Sequence, residues 1–210
     1  IVSEIPDRHK PLVTMLSKAN GAYPLSGNNV EIMSDFTTMS DRLVRDIESA
    51  RYHINILFFK FEDDQVGNKI ADALIRKSKE GVQVRLIYDE AGNMMVPRRF
   101  YRRLRKHGIQ VRGFIRIFLP ILSRDYNSRN HRKVVVIDGR VGYMGGMNIA
   151  QRYAEGLKWG IWRDTHMRIT GPAVSELQTS FLTDWKFTKG DEPDLAPMYP
   201  YNPPCGNTLM

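Results

Sequence analysis

The residues of this chain best suited to chemistry lie in one stretch, NHRKVVVIDGRVGYMGGMN, residues 130–148. It places His131 and Lys133 at the start of an apolar run, Asp138 in its middle, and Gly145, Gly146 and Asn148 at its far end. A neutral histidine is a nucleophile or a general base, a lysine is a cation, and an asparagine amide donates hydrogen bonds. Lysine and asparagine donors can hold two non-bridging oxygens of a phosphoryl group, while Gly146 leaves room for substrate to approach the backbone. This set suits attack on a phosphodiester. Lys133 beside His131 also disfavours the imidazolium and keeps the ring nucleophilic.

A hairpin accounts for the intervals. Asp138-Gly139 readily supplies the positive φ angles of a two-residue type I′ turn, which sets Ile137 opposite Arg140. Counting outward, Lys133 falls opposite Met144 and His131 opposite Gly146, with Asn148 diagonally beyond. Strand parity then puts His131, Lys133, Gly146 and Asn148 on one face and Asp138 on the other, as a turn residue. A bulge would break the count. Other roles stay open at this point: a structural histidine, a solvated lysine, or Asn148 as the cap of a helix starting in IAQRY.

These residues need a scaffold, and the flanking sequence alternates helical and extended patterns. Leu43, Val44, Ile47 and Ala50 share one helical face over residues 41–50, and HINILFFKF (53–61) reads as a buried strand. A helix around Ile70, Ala73 and Leu74 ends at Gly81, and VQVRLIYD (82–89) is the next strand. A basic helix (98–107), a strand IQVRGFIRI (109–117), a strand in 164–170 and a helix from Pro172 to Lys186 complete the pattern. The expected class is α/β: layered α-β-α, helices on both faces of a mixed, mostly parallel central sheet. Residues 1–27 read as a lead-in segment, 28–190 as the domain, and the Pro-rich 191–210 as a linker tail.

The 210 residues suffice for one sizeable core. The longest apolar runs, INILFF (54–59) and IFLPIL (117–122), are far shorter than the ~20 residues of a membrane-spanning helix, and no signal peptide is recognisable. The first residue, Ile1, and the linker-like tail lead to the expectation of a piece of a longer chain. Cys205 is the single cysteine, so no internal disulfide forms, and its Pro-rich setting argues against a nucleophile. A net charge of +8 favours anionic partners: phospholipid headgroups, phosphodiesters or nucleic acid.

His131, Lys133, Asp138, Gly145, Gly146 and Asn148 reproduce H-x-K-x4-D-x6-G-G-x-N, by which the chain resembles the phospholipase D superfamily. WRDTHMRITGPAV (162–174) and FLTDW (181–185) are similar to bacterial cardiolipin synthases of that type, and the likeness runs from about Asn28 to Trp185. The resemblance implies a phosphohistidine intermediate on His131, phosphoryl oxygens bound by Lys133 and Asn148, and no metal or cofactor. It implies that Asp164 hydrogen-bonds the other nitrogen of His131; the alternative is a surface salt bridge to Arg163.

Such enzymes use a second histidine, from a second copy of the motif, to protonate the leaving oxygen. This sequence holds one copy, and none of His9, His53, His107 and His166 is followed two residues later by lysine. The resemblance therefore implies half of a two-motif enzyme, or a homodimer joining two motifs. The reaction it implies is phosphatidyl transfer between two phosphatidylglycerol molecules, releasing glycerol, at the cytoplasmic face of a bacterial cell membrane. In that setting Phe118, Leu119, Ile121 and Leu122 are candidates for acyl contact, and helix 98–106 for anionic headgroups. The competing readings are a single-motif homodimeric nuclease, with nucleic acid the less favoured partner, and a phosphate-binding module inactive without its other half.

Overall fold

A computed structural model of the chain describes residues 5–21, 23–115, 129–156, 158, 160 and 162–210. Helix α1 (Lys10–Asn20) precedes strand β1 (Asn29–Met33), and α2 (Phe36–Ser49) leads into β2 (His53–Phe58). There follow α3 (Gln65–Lys79), β3 (Gln83–Asp89), α4 (Arg98–Lys106) and β4 (Gln110–Phe114). The second half holds β5 (Lys133–Ile137), β6 (Val141–Gly145), the short α5 (Arg152–Glu155), β7 (His166–Thr170) and α6 (Val174–Phe187). Two helices start at aspartate caps: Asp35 accepts from Thr38 N at 2.6 Å, and Asp64 accepts from Gly67 N at 2.8 Å. The Asp35 cap starts α2 upstream of the residue 41 expected from periodicity, adding Phe36 and Met39 to its buried face.

The strands form one sheet in the order β1-β7-β6-β5-β2-β3-β4. The layered α/β class and the mixed sheet match expectation, but the parallel share needs correction. Only β2–β3 and β3–β4 pair in parallel; the other four contacts are antiparallel, although five of the seven strands run in one direction. The cause lies in the connections. Helices α3 and α4 are long enough to return the chain for parallel pairing, whereas the tight turn after Ile137 forces β6 antiparallel to β5.

Strand parity divides the core. Ile54, Ile56 and Phe58 face a cluster with Leu43, Ile47, Ile70 and Leu74 from α2 and α3, and with Leu104 from α4. On the other side Leu57 and Ile87 pack against Phe181 and Trp185 of α6, while Val134 and Val136 meet Val174. The tail after α6 is held along the domain rather than free as a linker. Met198 is buried against Asn55 and Gln178, and residues 205–210 exchange backbone hydrogen bonds with residues 25–28. Sequence patterning missed α1 and β1, since β1 is a short edge strand with mostly exposed side chains.

Asp138 (φ 52°) and Gly139 (φ 63°) adopt the expected turn, closed by Arg140 N donating to Ile137 O at 2.9 Å. The ladder resumes one residue later than counted, with Ile137 paired to Val141 and Val134 to Met144. Arg140 is the extra residue, so Lys133 does not stand opposite Met144, nor does hairpin parity alone unite the motif. Asp138 has a larger structural role than its turn. Its carboxylate accepts from the backbone N–H groups of Arg51, Tyr52 and His53 at 2.8, 2.8 and 2.9 Å, tying the hairpin tip to the start of β2.

Candidate active site

At the opposite end of β2 the chain runs through Phe59 and Lys60 along a cleft of about 470 Å³, whose other walls include His131, Lys133, Gly146, Asn148 and Asp164. His131 is exposed to the cleft, and Lys133, the first residue of β5, is 3% exposed. The lysine is thus not a solvated strand charge. Its Nζ lies 2.9 Å from His131 Nδ1, donates to His131 O at 2.7 Å, and sits 5.6 Å from the Phe59 ring centroid. The Phe59 and His131 rings are 4.5 Å apart. Because an ammonium group only donates, this contact makes Nδ1 an acceptor in a neutral imidazole.

Electrostatics agree with that geometry. Burial, and then the Lys133 charge, lower the His131 pKa against the opposing pull of Asp89 and Asp164. Burial also brings Lys133 down to about 8, with Asp164 acting in the opposite sense.

Asn148 reaches the cleft by a route the hairpin count did not contain. Ile149 forms a parallel bridge with Phe61, and Asn148 Oδ1 accepts from Lys60 N at 3.1 Å. Its Nδ2 donates to Tyr153 Oη at 2.9 Å, which leaves its second amide hydrogen for a ligand. Asn148 does not cap the following helix: Asp64 instead receives the N–H of Gln151, just ahead of α5.

The glycine pair has a reason different from open access to the backbone. A Cβ on Gly146 would stand 2.0 Å from Asp164 Oδ1, and one on Gly145 would stand 2.5 Å from Thr165 O. The glycines let the 164–166 segment lie directly on the end of β6, with Gly146 N donating to Thr165 O at 2.8 Å. Asp164 is thereby brought into the cleft. Its Oδ1 accepts from Thr165 N at 2.7 Å, and no hydrogen bond joins it to His131 or ion pair to Arg163 among the described residues. It acts on His131 and Lys133 through its charge.

Several positioning groups escaped the sequence reading. Asp89, buried at the end of β3, accepts from Asn130 N at 3.1 Å and from Gly92 N at 2.9 Å. Arg132 donates to both carboxylate oxygens of Asp184 on α6, at 2.9 and 3.0 Å. His131 is therefore held between neighbours fastened to different elements. Tyr153 and Trp162 add an aromatic wall, their ring centroids 5.8 Å apart. The Asp-Gly turn and the double glycine were visible signals; nothing local in the sequence ties Asp89 or Asp184 to residue 131.

Of the other histidines, His9 is exposed, His107 ends α4, and His53 is buried at the far end of β2, 3.3 Å from Gln178 Oε1. His166 lies behind Gly145, fully buried, and does not line the cleft. None takes the place of a second motif histidine. The acyl-contact reading of Phe118, Leu119, Ile121 and Leu122 falls outside the described residues.

Residues 43–185 match the family model described as the cardiolipin synthase, phospholipase D-like domain. A cardiolipin synthase of Listeria monocytogenes serotype 4a is 41% identical over 179 residues, covering 85% of this chain and 37% of that protein. The major cardiolipin synthase of Bacillus subtilis is 42% identical over 179 residues, covering 84% and 37% respectively. The chain thus spans 37% of the length of these relatives. Among solved structures, the phospholipase D family member Nuc from Salmonella typhimurium superposes with a TM-score of 0.60 at 17% identity, covering 79% of this chain and 99% of that one. Phosphatidylserine synthase of Haemophilus influenzae gives 0.58 at 17% identity, covering 74% and 36%. At such identities these two likenesses concern the fold alone.

Proposed function

The chain belongs to the phospholipase D-like family of cardiolipin synthases, and from that premise we propose that it carries the nucleophilic half of a phosphatidyl transfer site. The observation that supports this best is the buried Lys133 ammonium 2.9 Å from Nδ1 of a cleft-facing His131. In the first step Lys133 passes its donor from Nδ1 to a non-bridging oxygen, the freed imidazole lone pair attacks the phosphorus of phosphatidylglycerol, the N–P bond forms, and the P–O bond to the glycerol headgroup breaks. Lys133 and the second amide hydrogen of Asn148 neutralise the non-bridging oxygens, and the Asp164 carboxylate balances the positive charge that develops on the ring. In the second step a hydroxyl of another phosphatidylglycerol attacks the phosphorus, giving its proton to the second-motif group that protonated the leaving glycerol; the N–P bond breaks, His131 is freed and cardiolipin forms, while attack by water gives phosphatidic acid.

The departing glycerol oxygen requires a proton, and a second motif supplies it from the remainder of a longer chain or from another copy. A phosphatidylglycerol substrate supports a reaction at a bacterial cell membrane, and the cytoplasmic side is part of the same proposal. Purified chain incubated with phosphorus-labelled phosphatidylglycerol should acquire acid-labile, base-stable label that His131→Ala abolishes. Labelling from single-stranded DNA, with none from the lipid, would instead establish the nuclease alternative.

A further inference from the structure

Helix α4 carries more positive charge than its packing uses. Arg103 is paired with Asp72 and bonded to Asn68 Oδ1 at 2.8 Å, Arg105 bonds Val111 O, and Arg99 approaches Asp63 at 4.0 Å. Arg98, Arg102 and Lys106 have no ion pair or hydrogen bond among the described residues, and all three are exposed. Spaced four apart, they form one stripe along the helix. Immediately before it, Met95 is 95% exposed and Met94 56% exposed. An apolar tip beside an unpaired basic stripe has a physical counterpart in an anionic bilayer: methionine side chains enter the acyl boundary while arginines meet phosphates. Nucleic acid would account for the arginines but leaves the methionines without a function.

The patch is mechanically continuous with the cleft. Asn93, next to Met94, donates to Phe59 O at 2.7 Å and accepts from Phe61 N at 2.8 Å, tying this segment to the cleft wall. Tyr101 of α4 adds a bond to Phe61 O at 3.1 Å. We infer that Met94, Met95, Arg98 and Arg102 form a docking surface for an anionic lipid bilayer, which brings the His131 cleft to its substrate. This rests on the phosphatidyl transfer reading for the identity of that substrate.

Co-sedimentation of the chain with sucrose-loaded vesicles tests the inference. Vesicles of equal phosphatidylglycerol and phosphatidylcholine should bind the chain, pure phosphatidylcholine should bind it at least about tenfold more weakly, and added salt should reduce the difference. Met94→Ser with Met95→Ser, and separately Arg98→Ser with Arg102→Ser, should each weaken binding to the anionic vesicles about tenfold, with an unchanged thermal midpoint. His131→Ala should bind vesicles as the parent does, so docking is read independently of chemistry. Labelling by monomeric short-chain phosphatidylglycerol should be the same in both patch variants and the parent. Undiminished vesicle binding by the patch variants would overturn the inference, as would equal binding to both vesicle types. Preference for single-stranded DNA over vesicles, lost in the arginine variant, would reassign the surface to nucleic acid.

Discussion

At the residue scale the site depends on an unusually placed lysine. Burial to 3% exposure brings Lys133 down to about 8, so its charge, and with it the proposed stabilisation of phosphoryl oxygens, is lost as pH rises through that value. His131 shifts downward, so it stays neutral to a lower pH than an ordinary histidine. The rate of His131 labelling should therefore fall above about pH 8. A flat rate between pH 7 and 10 would count against the assignment. Lys133→Met should cost roughly 10²–10³-fold in that rate, the scale of losing one charge-stabilising donor. His166 offers a contrasting case, because neither ring nitrogen has a hydrogen-bond partner among the described residues and the ring stacks on Phe58 at 6.4 Å. Burial, with a further push from Lys133, brings it down to about 4, below the value near 6.5 of an unfolded chain. The unfolded state then binds the extra proton first, so stability is full above pH 6.5 and declines between 6.5 and about 4. His166→Phe keeps the stacking and removes the titration. In urea unfolding it should match or exceed the parent at pH 7 and gain roughly 2 kcal/mol relative to it at pH 5.

At the element scale, local patterns in the sequence revealed the parts and missed the clamps between them. The β2-α3-β3-α4-β4 run was legible because amphipathic spacing and the helix-ending Gly81 are written within a few residues of one another. The hairpin turn was legible for the same reason. Its register was not, since whether Arg140 joins the ladder depends on how β6 meets β7 across the sheet. Asp89 and Asp184 were invisible because they act on Asn130 and Arg132 from 41 and 52 residues away. The clamps have different consequences when cut. Asp138→Ala removes the acceptor for three backbone N–H groups and should destabilise the fold by about 2–4 kcal/mol, visible in thermal or urea unfolding. Asp184→Ala frees an exposed Arg132 at one end of the motif. It should slow His131 labelling several-fold at saturating substrate, with a smaller loss of stability, and Asp184→Asn should recover part of the rate. Equal rates in parent and Asp184→Ala would show that the Arg132 contact does not position the nucleophile.

At the scale of the whole molecule, one end of the sheet is organised around chemistry and the other around stability. His53, Asp138 and the docked tail occupy one end of β2, where Asn55, Gln178 and Met198 bury polar contacts. Phe59, Lys60 and the cleft occupy the other. The chemical end brings together His131, Lys133 and Asp164, while none of the other histidines lines the cleft. The proposed division of labour between a nucleophilic half and an acid-supplying half can therefore be tested through the leaving group. A phosphodiester with a p-nitrophenolate leaving group departs without protonation, whereas the glycerol oxygen of phosphatidylglycerol needs a proton. The chain by itself should thus show a stoichiometric p-nitrophenolate burst as His131 becomes phosphorylated. With phosphatidylglycerol it should label at least about 10²-fold more slowly, the scale of general acid catalysis. Adding a second motif should raise the lipid rate by that factor and leave the burst rate unchanged. Equal labelling rates for the two leaving groups in the chain alone, with sedimentation showing a monomer, would mean that a proton donor already stands in this cleft.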